Sequence, residues 1–179
     1  MRKYIYLFLM LWCLSLHLYG GNVTGNCTSY SQEGRDVTFH IDDNSAVQLQ
    51  LCSSSVVRVW FSPDGKLQRG NPSFAVINEE LEDVGTVRVD EQNACYEIFT
   101  PKLRIRVNKA PFSLQIFDKY QKLLFSDYAD KGHISNGERK VEYKTLRRDE
   151  HFFGLGEKTG KLDRRGESYK MWNSDKPCY

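Results

Sequence analysis

Leu103-Arg104-Ile105-Arg106-Val107, then Asn108-Lys109-Ala110-Pro111, then Phe112-Ser113-Leu114-Gln115-Ile116: this stretch decides the fold class. Apolar residues recur at every second position on both sides of a polar break that contains proline. Successive side chains on an extended backbone point to opposite sides, so this is the period of a strand with one buried face.

The same period extends outward in both directions. Upstream, Val87 and Val89 lead through the polar turn Asp90-Glu91-Gln92-Asn93 to Cys95-Tyr96-Glu97-Ile98-Phe99. Earlier still, Val47, Leu49 and Leu51 alternate with Gln48 and Gln50, and Val57, Val59 and Phe61 alternate with Arg58 and Trp60. That second run stops at Pro63-Asp64-Gly65, where Pro presets φ and Gly admits positive φ, and a hairpin-like return is expected beyond it. Downstream, Val141, Tyr143 and Thr145 supply a further candidate. Before residue 150 nothing sustains the i, i+3, i+4, i+7 pattern of a helix. Short strands joined by polar turns predict an all-β chain folded as an antiparallel β-sandwich, and the lack of a fixed-period repeat argues against propellers and solenoids.

Composition agrees with a packed domain. Hydrophobic residues make up 40% and aromatic residues 13% of the 179, with only 5 Pro, enough apolar surface to bury a core. The length suits one domain after a leader, and falls short of the roughly 250 residues of a (β/α) barrel.

The leader is read at residues 1–21. Arg2 and Lys3 precede the apolar run Tyr4 to Leu14, and Tyr19-Gly20-Gly21 closes it, the three parts of a secretory signal peptide. The run is short for a span of ~20 residues and is interrupted by Ser15 and His17, so no membrane span is expected in the mature chain. Export to a periplasmic or extracellular site is expected. Removing Arg2 and Lys3 from the 25 Lys and Arg leaves 23, against 23 Asp and Glu. A neutral mature chain lacks the excess of basic charge that phosphate backbones demand, so nucleic acid is set aside as a partner.

Residues 22–35, rich in Gly, Asn, Ser and Thr, read as a flexible lead-in, and residues 36–179 as the sandwich domain. Cys27, Cys52, Cys95 and Cys178 would remain after cleavage; they are widely spaced, and either two disulfides or buried free thiols fit them. His40, His133 and His151 show no paired metal spacing, and no cofactor or metal is implied. The stripe Lys102, Arg104, Arg106, Lys109 reads either as a binding strip or as the solvated face of a half-buried strand; period 2 favours the second.

The last segment, residues 152–179, differs in kind. Gly154, Gly156, Gly160 and Gly166 punctuate densely mixed acids, bases and aromatics, a composition for an ordered loop. Its acids Glu157, Asp163, Glu167 and Asp175 are expected to pair with Lys158, Arg164, Arg165 and Lys170. Asn173 and Asp175 beside Trp172 and Tyr169 could instead bind sugar, whose C–H face packs on an aromatic ring while its hydroxyls are hydrogen-bonded.

Gly154-Leu155-Gly156-Glu157, Leu162-Asp163-Arg164-Arg165-Gly166 and Met171-Trp172-Asn173-x-Asp175, in this order and spacing, resemble the segment that closes the N-terminal β-sandwich of glycoside hydrolase family 31, the α-glucosidase and α-xylosidase family. The resemblance implies a galactose-mutarotase-like sandwich that sends residues 152–179 over the mouth of a (β/α) barrel. It implies Asp175 as the sugar ligand, with Trp172 and Asn173 supporting it. It also implies hydrolysis of α-glucosidic or α-xylosidic bonds in oligosaccharides by a retaining mechanism, whose two Asp stand about 5–5.5 Å apart on the barrel. No catalytic residue is then expected in this chain. Its partners would be an α-linked oligosaccharide and a (β/α) barrel catalytic domain missing from this sequence. A free-standing carbohydrate-binding module using Trp172, Tyr169 and Asp175 is the rival expectation.

Overall fold

A computed structural model of the chain describes residues 22–67, 83–136, 139–156 and 158–171. The leader, the return expected after Pro63-Asp64-Gly65, Glu157, and all of 172–179 lie outside the described residues. The chain divides into two units, 1–145 and 146–179.

The first unit is built of antiparallel strands, with no helix among the described residues. β2 (Cys27–Glu33), β3 (Asp36–Ile41), β4 (Ala46–Leu51) and β5 (Val57–Ser62) form a four-stranded sheet in chain order. β6 (Val89–Glu91), β7 (Cys95–Phe99), β8 (Leu103–Lys109), β9 (Phe112–Asp118) and β10 (Leu123–Ser126) form a five-stranded one. β1 (Asn22–Val23), β11 (His133–Asn136) and β12 (Arg139–Glu142) make a third, small sheet.

Alternation sets which faces meet. In β3 and β4, Val37, Phe39, Val47, Leu49 and Leu51 are buried while Thr38, Gln48 and Gln50 on the other face stay partly open. In β7 to β9, Tyr96, Ile98, Ile105, Val107, Phe112 and Leu114 are buried. The two sets form one core, and Phe39 links them, its ring centroid 5.4 Å from Tyr96 and 6.5 Å from Phe112. Each such side chain contributes roughly 1.5–3 kcal/mol by leaving water, which makes this inter-sheet layer the chief source of stability. The fold is the expected antiparallel β-sandwich.

The stretch that decided the fold class pairs as its period requires. Ile105 lies opposite both Ile98 and Ile116, and Val107 opposite both Tyr96 and Leu114. The break between β8 and β9 is Ala110-Pro111, joined by a cis peptide bond. At the other predicted turn, Gly65 takes φ 72°, its amide donates to Ser62 O at 3.4 Å, and the Ser62 hydroxyl and Lys66 amide together hold the Asp64 carboxyl below its usual range.

Several readings are corrected. Within residues 22–35, read as a flexible lead-in, Cys27–Glu33 is instead strand β2, paired with β3 in one register from Ser29 opposite His40 to Glu33 opposite Asp36, with a shift between Ser29 and Cys27, which lies opposite Ile41. The reason is that an edge strand needs few apolar residues. Cys27 is buried and Tyr30 packs on the core, while the remaining polar side chains face outward. The clean alternation read for Val57 to Phe61 is blurred at this other edge, where Val59 is 38% exposed and Trp60 half-buried. The basic stripe is a paired face: Glu97 Oε1 accepts from Arg104 Nη1 at 3.1 Å and Arg106 Nη2 at 2.8 Å, and the Arg104 guanidinium lies 4.2 Å over the Phe117 ring. Lys109 Nζ reaches Glu91 Oε1 at 2.7 Å. Cys27, Cys52 and Cys95 are free thiols, and Cys178 lies outside the described residues.

Candidate functional site

The loop unit has no regular secondary structure between 146 and 171 among the described residues, so its shape must come from side chains. Asp163 provides the first tie. Its Oδ2 stands 2.6 Å from His151 Nδ1, and its Oδ1 accepts from the amides of Arg165 at 3.0 Å and Phe152 at 3.3 Å. The His151 hydrogen bond, reinforced by the Arg165 amide, holds the Asp163 carboxyl below its usual range. A short carboxylate that accepts from both a ring and two amides closes a loop much as a capping residue closes a helix.

The two arginines after it act on the backbone. Arg165 Nη1 donates to Arg147 O at 2.8 Å and to Glu150 O. Arg164 Nη2 donates to Lys158 O at 2.7 Å, and its Nη1 to Thr159 O and the Tyr169 hydroxyl, each at 3.2 Å. The Arg164 amide also donates to Phe152 O at 2.7 Å. Guanidinium groups offer up to five donors in a fixed fork, which suits pinning several carbonyls at once. Of the acids expected to pair with Lys158, Arg164, Arg165 and Lys170, Asp163 is instead bound by His151 and Glu167 lies 3.6 Å from Lys161, while Glu157 and Asp175 lie outside the described residues.

Two backbone features depend on this frame. Gly154, Leu155 and Gly156 all have positive φ, at 89°, 69° and 71°. A leucine there costs about 1–2 kcal/mol, so the turn is held by its surroundings. Gly160, at φ 128°, sits where a Cβ would come within 3.0 Å of Arg164 Nη1 and 3.3 Å of the Tyr169 hydroxyl, so a side chain would separate the arginine from its partners.

The frame encloses an open pocket of about 380 Å³ lined by polar groups that include Lys158, Thr159, Lys161, Glu167, Ser168 and Tyr169. Phe152, Phe153, Leu155, Leu162 and Met171 remain exposed, Leu162 at 81%. Asp175, Trp172 and Asn173 follow directly but lie outside the described residues. What the structure adds to the sequence reading is the buttress before them. His151 had carried no assignment. Its signal was its place at the head of a glycine-punctuated stretch whose aspartate, Asp163, stands at the far end. No group of metal-ligating side chains occurs among the described residues.

The class thus defined is an antiparallel β-sandwich followed by an arginine-pinned loop. Residues 46–179 match the family model described as the glycosyl hydrolase 31 N-terminal galactose mutarotase-like domain, and the chain belongs to that family. Across 88% of its length it is 60% identical to a family 31 dextranase from Flavobacterium johnsoniae, with a TM-score of 0.82 to the structure complexed with glucose and 0.81 to a mutant complexed with isomaltotriose. It is 31% identical over 152 residues to alpha-glucosidase 2 of Bacillus thermoamyloliquefaciens. A cycloalternan-forming enzyme from Listeria monocytogenes, 20% identical over 81% of the chain with a TM-score of 0.65, shares the fold. The chain spans 20% of the dextranase and 19% of the alpha-glucosidase.

Proposed function

We propose that this domain serves an α-glycosidase that hydrolyses α-glucosidic bonds in oligosaccharides by a retaining two-carboxylate mechanism, and that residues 152–179 form part of the rim of its sugar cleft. The observation that carries the reading is the 60% identity, over 88% of the chain, to a dextranase solved with glucose and isomaltotriose. That relative favours α-linked glucose polymers over α-xylosides as the substrate.

Within this reading Asp175 hydrogen-bonds sugar hydroxyls, with Trp172 and Asn173 beside it, and the His151–Asp163 and Arg164–Tyr169 ties set where that tip begins. A rim contact orients the sugar. It cannot supply the nucleophile and proton donor that cleave the bond, so catalysis falls to residues outside this sequence. The exposed Phe152, Phe153 and Leu162 are the apolar contacts through which such a loop would seat on a catalytic domain. Export through residues 1–21 belongs to the same reading, since glucan polymers are met outside the cell.

The experiment is a hydrolysis assay with dextran and isomaltotriose on this chain alone and on a protein that extends it with a family 31 catalytic domain. Glucose release by the extended protein and none by the chain alone is expected. Release by the chain alone would contradict the assignment of catalysis, and failure of the extended protein on every α-glucan would contradict the substrate class.

A further inference from the structure

The outer face of the four-stranded sheet carries a second constellation, which shares no residue with the loop. Because Val37, Phe39, Val47 and Leu49 turn inward, Thr38, His40 and Gln48 are left on the outside. The register then aligns side chains from all the strands of this sheet. Ser31 lies opposite Thr38, Thr38 opposite Gln48, and Gln48 opposite Trp60, giving one continuous row across β2 to β5.

This row, with His40, Glu33 and the β5 turn, lines an open groove of about 310 Å³, at the lower end of the roughly 300–1,000 Å³ usual for small-ligand sites. The row is ordered internally. Ser31 Oγ lies 3.1 Å from His40 Nε2, Gln48 Nε2 donates to Thr38 Oγ1 at 3.4 Å, and the Arg58 guanidinium stacks 4.7 Å over the Trp60 ring.

The lining selects its ligand class. Hydroxyl, amide and imidazole groups both donate and accept, and they stand beside an indole. Lysine and arginine are missing from the lining and the adjoining Arg58 guanidinium is stacked on Trp60, which disfavours a phosphate or sulfate, and its one acidic group, Glu33, does not make it a cation site. Apolar side chains are confined to Trp60 and Leu67, too few for a protein partner's hydrophobic core. A neutral ligand with many hydroxyls and a flat C–H face fits this set; a charged or greasy one does not.

We propose that this groove is an auxiliary glucan-binding site, with the part of the Trp60 ring that Arg58 does not cover as the apolar surface and Thr38, His40 and Gln48 as hydrogen-bonding groups. The choice of an α-glucan among carbohydrates rests on the family reading above, whereas the groove itself does not. A site of this kind holds a length of polymer on the domain and raises its local concentration without taking part in bond cleavage.

The test is affinity electrophoresis of the 179-residue chain through gels containing dextran or soluble starch. Retarded migration is expected, with apparent affinity falling at least tenfold in Trp60→Ala. Gln48→Ala, which leaves the aromatic edge strand intact, must weaken retardation several-fold, so the inference does not depend on Trp60→Ala folding. Tyr120→Ala, an exposed aromatic in the β9–β10 turn of the other sheet, should migrate like the parent chain. Unretarded parent chain, or retardation untouched by Gln48→Ala and Trp60→Ala, overturns the proposal. Retardation lost in Asp175→Ala but kept in Trp60→Ala also overturns it, while leaving the rim reading standing.

Discussion

Asp163 Oδ2 lies 2.6 Å from His151 Nδ1, and this pair ties the beginning of the loop unit to its arginine cluster. The other oxygen of the same carboxylate holds the amides of Phe152 and Arg165, so removing it releases both ends together. Asp163→Ala should speed hydrogen exchange at the Phe152 and Arg165 amides several-fold. Unchanged exchange at both amides would show that the arginines alone hold the loop. The Asp163 carboxyl is held below its usual range, chiefly by His151. Its contribution is therefore present above the ordinary carboxylate range near pH 4 and is lost as pH falls below it. Protection of these amides, taken relative to the intrinsic exchange rate at each pH, should fall in acid in the parent chain and stay low throughout in the variant.

A second carboxylate, Asp127, is buried in the sandwich unit. Its Oδ1 accepts from Lys144 Nζ at 2.6 Å, its Oδ2 from the Leu114 amide at 2.8 Å, and His133 Nε2 lies 3.6 Å from Oδ2. Burial pushes the carboxyl up, but His133 and Lys144 outweigh it and bring it below its usual range. Asp127→Ala would leave the Leu114 amide without its acceptor and the Lys144 ammonium with Glu142 Oε2 at 3.3 Å, and should cost about 2 kcal/mol in urea unfolding at pH 7. The sign in pH follows from the lowered value. The parent chain loses this stabilisation as pH falls below about 4, and the variant has none to lose, so the gap between their unfolding midpoints should narrow in acid. A gap constant from pH 7 to pH 3 would contradict the ionised assignment.

Cys27 shows the opposite case. Burial pushes its thiol up to about 11, from an ordinary 9.0. The folded chain thus keeps a proton that the unfolded chain releases, and stability should decline as pH climbs from about 9 toward 11. In the folded chain a thiol-specific reagent should modify the half-exposed Cys52 and spare Cys27 until urea unfolds the sheet. Equal rates for the two thiols in native buffer would mean that β2 is not docked as described.

How much of this was legible beforehand depends on which physical rule each residue obeys. Ile105, Val107, Leu114 and Ile116 declare their strands because a half-buried strand must alternate, and both sheets of the core follow that rule. β2 was missed because an edge strand buries little: Cys27 and Tyr30 alone turn to the core among polar neighbours, a pattern that composition reads as coil. The loop motif Leu162-Asp163-Arg164-Arg165-Gly166 was visible as a family signature. Its chemistry was not, since hydrogen bonds from Arg164 to Lys158 O and from Arg165 to Arg147 O leave no period in the sequence. Acid–base pairing was the natural expectation for such mixed charge; carbonyl pinning won because the loop has unpaired backbone acceptors to satisfy.

In the function proposed above, the end of this domain touches sugar at the mouth of a glycosidase cleft. The measurement that tests it most directly is steady-state hydrolysis of isomaltotriose by a protein carrying both this chain and a family 31 catalytic domain, compared with its Asp175→Ala variant. A hydrogen bond to a charged group contributes about 1.5–3 kcal/mol, so kcat/KM should fall roughly ten- to a hundredfold, with an unchanged melting temperature. If kcat and KM both stay at the parent values, Asp175 makes no contact with the substrate and residues 152–179 are structural.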